Sequence, residues 1–147
     1  VISDDARVCF VAGAKNGDCE TRRGGAVVKA GDRHLKFDLV RPCAECPFRN
    51  DRPGYLTRER VTHIVSSLLH DASFTCHKTT RFSDDGKCVP HSDEQHCAGA
   101  AIFLERQDRP NQWMRWMERL GAYDRSKLDM EAPVFETLDE MKQAQPR

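Results

Sequence analysis

The sequence predicts an α+β fold: one small domain with an N-terminal β-hairpin and three to four helices around a cysteine-ligated metal centre. Three observations carry that expectation. Apolar and polar residues alternate strictly along His34-Leu35-Lys36-Phe37-Asp38-Leu39, the pattern of a half-buried strand. Val61, Ile64, Val65, Leu68 and Leu69 recur at the spacing of one buried helix face. Seven cysteines are scattered over the first two thirds of the chain, two of them in a close CxxC pair and two at the edges of predicted elements. A chain of 147 residues has room for one core and hardly for two.

Residues 1–40 read as a β elaboration of the core. Val8–Ala12 is a short apolar run ending at the turn signal Lys15-Asn16-Gly17-Asp18. A hairpin is expected from about 26–30 to 34–40, with Gly31-Asp32 at its turn. Residues 41–142 make the metal-binding core. Thr57 is placed to cap the helix over Val61–Leu69, with Glu59 in its first turn. Ser73-Phe74-Thr75 is β-prone and runs into Cys76-His77, and 78–96 reads as a long polar loop centred on Asp84-Asp85-Gly86. A buried helix over Ala98–Leu104 stops before Pro110. Trp113, Trp116, Met117 and Leu120 define the core face of a further helix closed by Gly121, and Thr137-Leu138-Asp139-Glu140 opens a terminal one. Residues 143–147 are expected to fray.

The cysteine spacing carries the chemistry. In Pro42-Cys43-Ala44-Glu45-Cys46-Pro47 a tight turn stiffened by prolines can aim two sulfurs at one centre. Cys76 ends a predicted strand and Cys97 begins a predicted helix, whose N-terminus favours the thiolate. Cys43, Cys46, Cys76 and Cys97 are therefore the expected ligands, with His77 as an alternative ligand in a Cys₃His set. One close hook plus two lone cysteines suits a [4Fe–4S] cluster, as does a proline directly after a ligand at Cys46-Pro47; Zn²⁺ is the alternative. His91 and His96 are expected beside the ligands as hydrogen-bond partners. His34, His63 and His70 read as solvated surface, Cys88 as a spare loop thiol, and Cys9 and Cys19 as small buried side chains.

The charge excludes some functions. Twenty-three basic residues balance 23 acidic ones. The balance holds locally: seven basic and six acidic over 1–40, eight and eight over 41–97, eight and nine over 98–147. A global attraction to nucleic acid or an anionic membrane is not supported. No apolar run is long enough to span a bilayer, and no signal peptide is visible. Seven cysteines are too few for a disulfide scaffold and odd in number, which predicts a reducing, cytoplasmic setting.

The strings Pro42-Cys43-Ala44-Glu45-Cys46-Pro47-Phe48-Arg49, Phe74-Thr75-Cys76-His77-Lys78-Thr79 and His96-Cys97-Ala98-Gly99 resemble, in that order, a family of small, largely uncharacterised proteins of actinobacteria and their bacteriophages. The resemblance covers roughly residues 40–140, including Arg109-Pro110-Asn111 and Ala132-Pro133-Val134-Phe135. It implies that Cys43, Cys46, Cys76, His77 and Cys97 form one site, and a bacterial host cell, and it implies no activity. Three functions stay open. The first is a metal-stabilised binding or redox-sensing module. The second is a metal-dependent enzyme using His77, Asp84, Asp85, His91, Asp93 or Glu94. The third is a nucleic-acid-binding protein using Arg41, Arg49, Arg52, Arg58 and Arg60. Catalytic residues, the protein or nucleic-acid partner and the oligomeric state are not readable from the sequence.

Overall fold

A computed structural model describes residues 35–146 together with the backbone of Phe10–Val11. Its elements in chain order are β1 (Phe10–Val11), α1 (Arg58–Leu69), β2 (Ser73–Phe74), β3 (Arg81–Phe82), β4 (Cys88–Val89), α2 (Ala98–Arg106), α3 (Gln112–Arg119), a 3₁₀ turn (Arg125–Lys127) and α4 (Leu138–Gln143). This is the expected α+β mixture, with four helices.

The helices form where capping and periodicity agree. Thr57 accepts from the Arg60 N–H at the start of α1, and Val61, Ile64, Val65 and Leu68 are its buried face. α2 is apolar all round, and every residue from Ala98 to Leu104 is buried. Its small residues let neighbouring backbone approach closely. Asn111 accepts from Met114 N–H at α3, and Gly121 takes a positive φ of 71° just past its end. At α4 Thr137 accepts from Glu140 N–H, while the Glu140 carboxylate reaches Glu136 N–H, one residue earlier than a capping box requires.

The small strands position the cysteines. β1 runs antiparallel to β2, Phe10 opposite Phe74. On the other side of β2 the 94–97 segment is held by Cys76 N–H to Gln95 O and Cys97 N–H to Phe74 O, both 2.8 Å. Its far edge takes Lys36, through Lys36 N–H to Glu94 O and His96 N–H to Lys36 O. Thr75 and His96 thus face each other as a non-hydrogen-bonded cross-strand pair. Strand alternation turns Cys76 and Cys97 to the opposite face.

Several expectations need correction. The expected hairpin of 26–30 with 34–40 is not seen in its second segment: among the described residues, 35–40 meet the sheet through a parallel bridge from Lys36 to Gln95. Residues 26–34 lie outside the described residues. The expected 78–96 loop contains the β3–β4 hairpin, turning at Asp84-Asp85-Gly86 with Gly86 at φ 74°. On α3 the buried residue is Met114; Trp113 and Met117 are half-buried, and Trp116 and Leu120 are 47% and 77% exposed. The 143–147 tail does not fray at its start: Gln145 is buried, and its Oε1 accepts from Leu56 N–H at 2.9 Å.

One arginine closes the core from below. Arg106 donates from Nη1 to Val134 O (2.5 Å) and from Nη2 to Met130 O (2.6 Å) and Ala132 O (2.8 Å). Arg106→Ala leaves those carbonyls without their charged donor and is expected to lower unfolding free energy by about 3 kcal/mol in urea titration. Arg106→Lys should recover only part, since a single ammonium nitrogen lacks the planar fork that reaches the three carbonyls from Nη1 and Nη2.

Candidate metal centre

The first half of the centre is a turn that ties itself to the core. Cys46 N–H bonds Cys43 O at 3.2 Å and Arg49 N–H bonds Cys46 O at 3.1 Å, so 43–49 curls with both sulfurs on its inner side. Phe48 anchors it. Its ring is fully buried, edge-on to Phe74 at 5.5 Å and tilted on Phe103 at 5.6 Å, and its carbonyl accepts from Phe135 N–H. The Arg49 guanidinium bridges Asp51 and the Cys43 carbonyl, and Tyr55 OH donates to Glu45 O at 2.9 Å.

The second half comes from the ends of β2 and the start of α2. The Cys76 carbonyl accepts from the N–H and hydroxyl groups of both Thr79 and Thr80, at 2.9–3.1 Å, which winds the chain sharply after the ligand. His91 braces this turn by bonding Thr79 O at 2.6 Å. Cys97 is the N-cap residue of α2. Two residues on, Gly99 allows the closest approach in the site: a Cβ there would overlap Cys46 Sγ and press on Phe48 Cβ at 3.1 Å.

These segments bring all five expected donors together. Cys46 Sγ and Cys97 Sγ are 3.5 Å apart. Cys43 Sγ lies 3.8 Å from both His77 ring nitrogens, and the donor atoms of Cys43, Cys76 and His77 all lie within 4.8 Å of one another. All four cysteines are free of disulfide; Cys46, Cys76 and Cys97 are buried and Cys43 is half-buried. The donor chemistry fits a thiophilic ion, and the Gly99 cradle fits one sulfur close against the helix start.

The thiols perturb each other in pairs. Cys43 is held well below the ordinary thiol range, first by hydrogen bonds from the Cys46 and Cys76 thiols and then, against its burial, by His77. Cys97 is lowered by the Cys46 thiol, with the first amides of α2 adding to it. Cys46 and Cys76 are pushed up, first by donating to Cys43, then for Cys46 by donating to Cys97, and by burial after that. His77 is raised by the Cys43 sulfur, and its Nε2 faces Glu45 Oε2 at 3.5 Å.

Other expected residues lie elsewhere. Asp85 bonds Ser83 and Lys87 in the hairpin turn, and Asp93 pairs with Lys36 and Arg81. His96 is buried beside Cys97 but stacks on Phe37 at 4.9 Å, and burial alone lowers it to about 4. Its two nitrogens have no hydrogen-bond partner among the described residues, so the expected bond to a ligand is not made. His63 and His70 are exposed as expected, while His34, Cys9 and Cys19 lie outside the described residues. Cys88 is not a spare thiol: it is disulfide-bonded, and its partner lies outside the described residues. That bond departs from the reducing setting the cysteine count predicts. Sequence reasoning missed Phe48, Gly99 and Tyr55 as parts of the centre. The adjacency of Phe48 to the cysteine hook, and of Gly99 to Cys97, was the available signal.

Two outcomes follow from this geometry. Gly99→Ala displaces Cys46 Sγ and is expected to weaken metal binding at least about tenfold in competition with a chromogenic chelator, with α2 retained by circular dichroism. Metal loading at neutral pH should release protons, because only thiolates ligate and Cys46 and Cys76 are pushed toward the thiol form. Affinity therefore falls as pH drops. Calorimetry in buffers of different ionisation enthalpy reads the number, and a release near zero contradicts the proton sharing described here.

Among the described residues no helix is long and apolar enough to cross a membrane. Comparisons with curated proteins and with solved structures find no match. A protein-family comparison matches residues 39–147, the part of the chain that holds every donor of the centre. The chain belongs to DUF6283, a family of unknown function.

Proposed function

We propose that Cys43, Cys46, Cys76 and Cys97 hold one tetrahedral metal ion, zinc in the first instance, in a small metal-stabilised binding or regulatory module. The 3.5 Å contact of Cys46 Sγ with Cys97 Sγ carries this reading. Metal–sulfur bonds of about 2.3 Å set the edge of a tetrahedron near 3.8 Å. A [4Fe–4S] cluster puts each thiolate on its own iron and needs the four sulfurs farther apart. That one separation favours a single ion over the cluster that the sequence pattern suggested, while Cys43 and Cys76 gather with His77 in a set of their own within 4.8 Å. Once bound, the ion cross-links the cysteine turn, the end of β2 and the start of α2.

His77 is the spare donor in this reading. Glu45 holds one ring nitrogen and Cys43 the other edge, the setting of a group that steadies a ligand sulfur. A binding role suits the surroundings better than catalysis, since Asp85 and Asp93 are spent on the hairpin and its neighbours. The partner, protein or nucleic acid, is met by shape and specific contacts, because three basic groups of the rim are already paired: Arg41 with Asp129, Arg49 with Asp51 and Lys78 with Glu45. The resemblance to proteins of actinobacteria and their phages supports a bacterial cell as the setting of such a module.

Anaerobic purification followed by elemental analysis and absorption spectroscopy tests the centre. One equivalent of zinc and no visible absorption is expected. A brown protein with a broad band near about 400 nm establishes the cluster instead. Cys43→Ser, Cys76→Ser or Cys97→Ser should each lose the metal and lower Tm, whereas His77→Ala should keep the ion.

A further inference from the structure

The four sulfurs divide into an inner and an outer pair. Cys46 and Cys97 are 4% and 2% exposed and touch at 3.5 Å. Cys43 is half-buried and stands with Cys76 and His77. A disulfide requires sulfurs at about 2.05 Å, so the inner pair is separated from a bond by a movement of about 1.5 Å. Burial would ordinarily protect it. However, a cleft of about 250 Å³ lined by Glu45, Cys46, Arg49, Tyr55 and Gln145 leads from solvent to Cys46. It admits a molecule as small as hydrogen peroxide. The vicinal hook is arranged differently from a redox CxxC, whose two sulfurs bond each other at a helix start. Here the hook lies in a turn, and the second sulfur meets a cysteine 51 residues away.

We propose that Cys46 and Cys97 are a peroxide-reactive dithiol that closes to a disulfide and expels the ion. The starting state rests on the metal reading above, in which both sulfurs are thiolates. The Cys46 thiolate attacks one peroxide oxygen. The O–O bond breaks, leaving a sulfenic acid on Cys46 and releasing hydroxide. The Cys97 thiolate then attacks that sulfur; the S–S bond forms, the S–O bond breaks and a second hydroxide leaves. Two electrons leave the sulfur pair, and the two hydroxides take protons from solvent to become water. The ion loses two of its four ligands at once, and Cys43 and Cys76 stay reduced beside His77.

The test uses the full chain as purified, treated with a small molar excess of hydrogen peroxide. Metal release is followed with a chromogenic chelator, and linked cysteines are located by tandem mass spectrometry without reduction. A Cys46–Cys97 link in proportion to the metal released, undone by dithiothreitol, is expected. A main product linking Cys43 to Cys46 or to Cys76, release accompanied only by sulfinic or sulfonic acids, or unmodified thiols after treatment overturns the proposal. Protein purified without metal that still links Cys46 to Cys97 retains this assignment and defeats the metal reading. Metal-bound protein that links elsewhere does the reverse.

Discussion

The approach of the Cys46 sulfur to the first turn of α2 is the constraint around which the lower part of the molecule is arranged. It works only because residue 99 has no side chain. From that contact the turn 43–49 acquires its depth, and Phe48 is carried far enough inward to reach Phe74 and Phe103. Those rings belong to the same two elements, β2 and α2, that deliver Cys76 and Cys97. Core and centre are therefore one packing problem. A change that loosens the aromatic cluster also spreads the sulfurs, and a change that spreads the sulfurs unseats Phe48.

A second support acts from the other side. The 94–97 segment is gripped along both edges, by Lys36 and by β2, through four backbone hydrogen bonds of 2.7–2.8 Å. Few residues in so irregular a molecule are bonded on both sides. The result is a rigid seat for Cys97 at the point where extended chain becomes helix. Around it the surface charges cancel in pairs, which keeps the neighbourhood of the thiols free of a strong external field.

What the sequence made legible was local. α1 and α2, their start points, the Thr57, Gly121 and Thr137 signals and the short strand into Cys76 all follow from periodicity and capping, which operate within a few residues. The cysteines that gather at the candidate centre were legible for a related reason: a hook, a strand end and a helix start are local contexts. The failures share the opposite character. Alternation at 34–39 is a real strand pattern, but which strand it meets is decided by the distant 94–96 segment and not by the preceding turn. Trp116 has the right helical spacing for a core, yet among the described residues its ring meets Trp113 edge-on and stays about half exposed. The tail holds because Gln145 finds Leu56 across 89 residues and because Gly54 leaves room for Ala144, a match that no window of sequence contains. Arg106 likewise reads as a surface charge until its three carbonyl partners arrive from 24 to 28 residues away.

The 51-residue separation between Cys46 and Cys97 has a consequence for how the molecule comes together. Cys43 and Cys46 can capture an ion as soon as their turn forms, since closing so short a loop is cheap. Bringing Cys97 to the same ion closes a loop of more than fifty residues, and in the chain-entropy view a cross-link of that span restricts the unfolded state by about 4 kcal/mol. In the metal reading proposed above, the ion would act as a reversible staple, loaded early on the turn and clinched late, after α1 and β2 have assembled between the two ends.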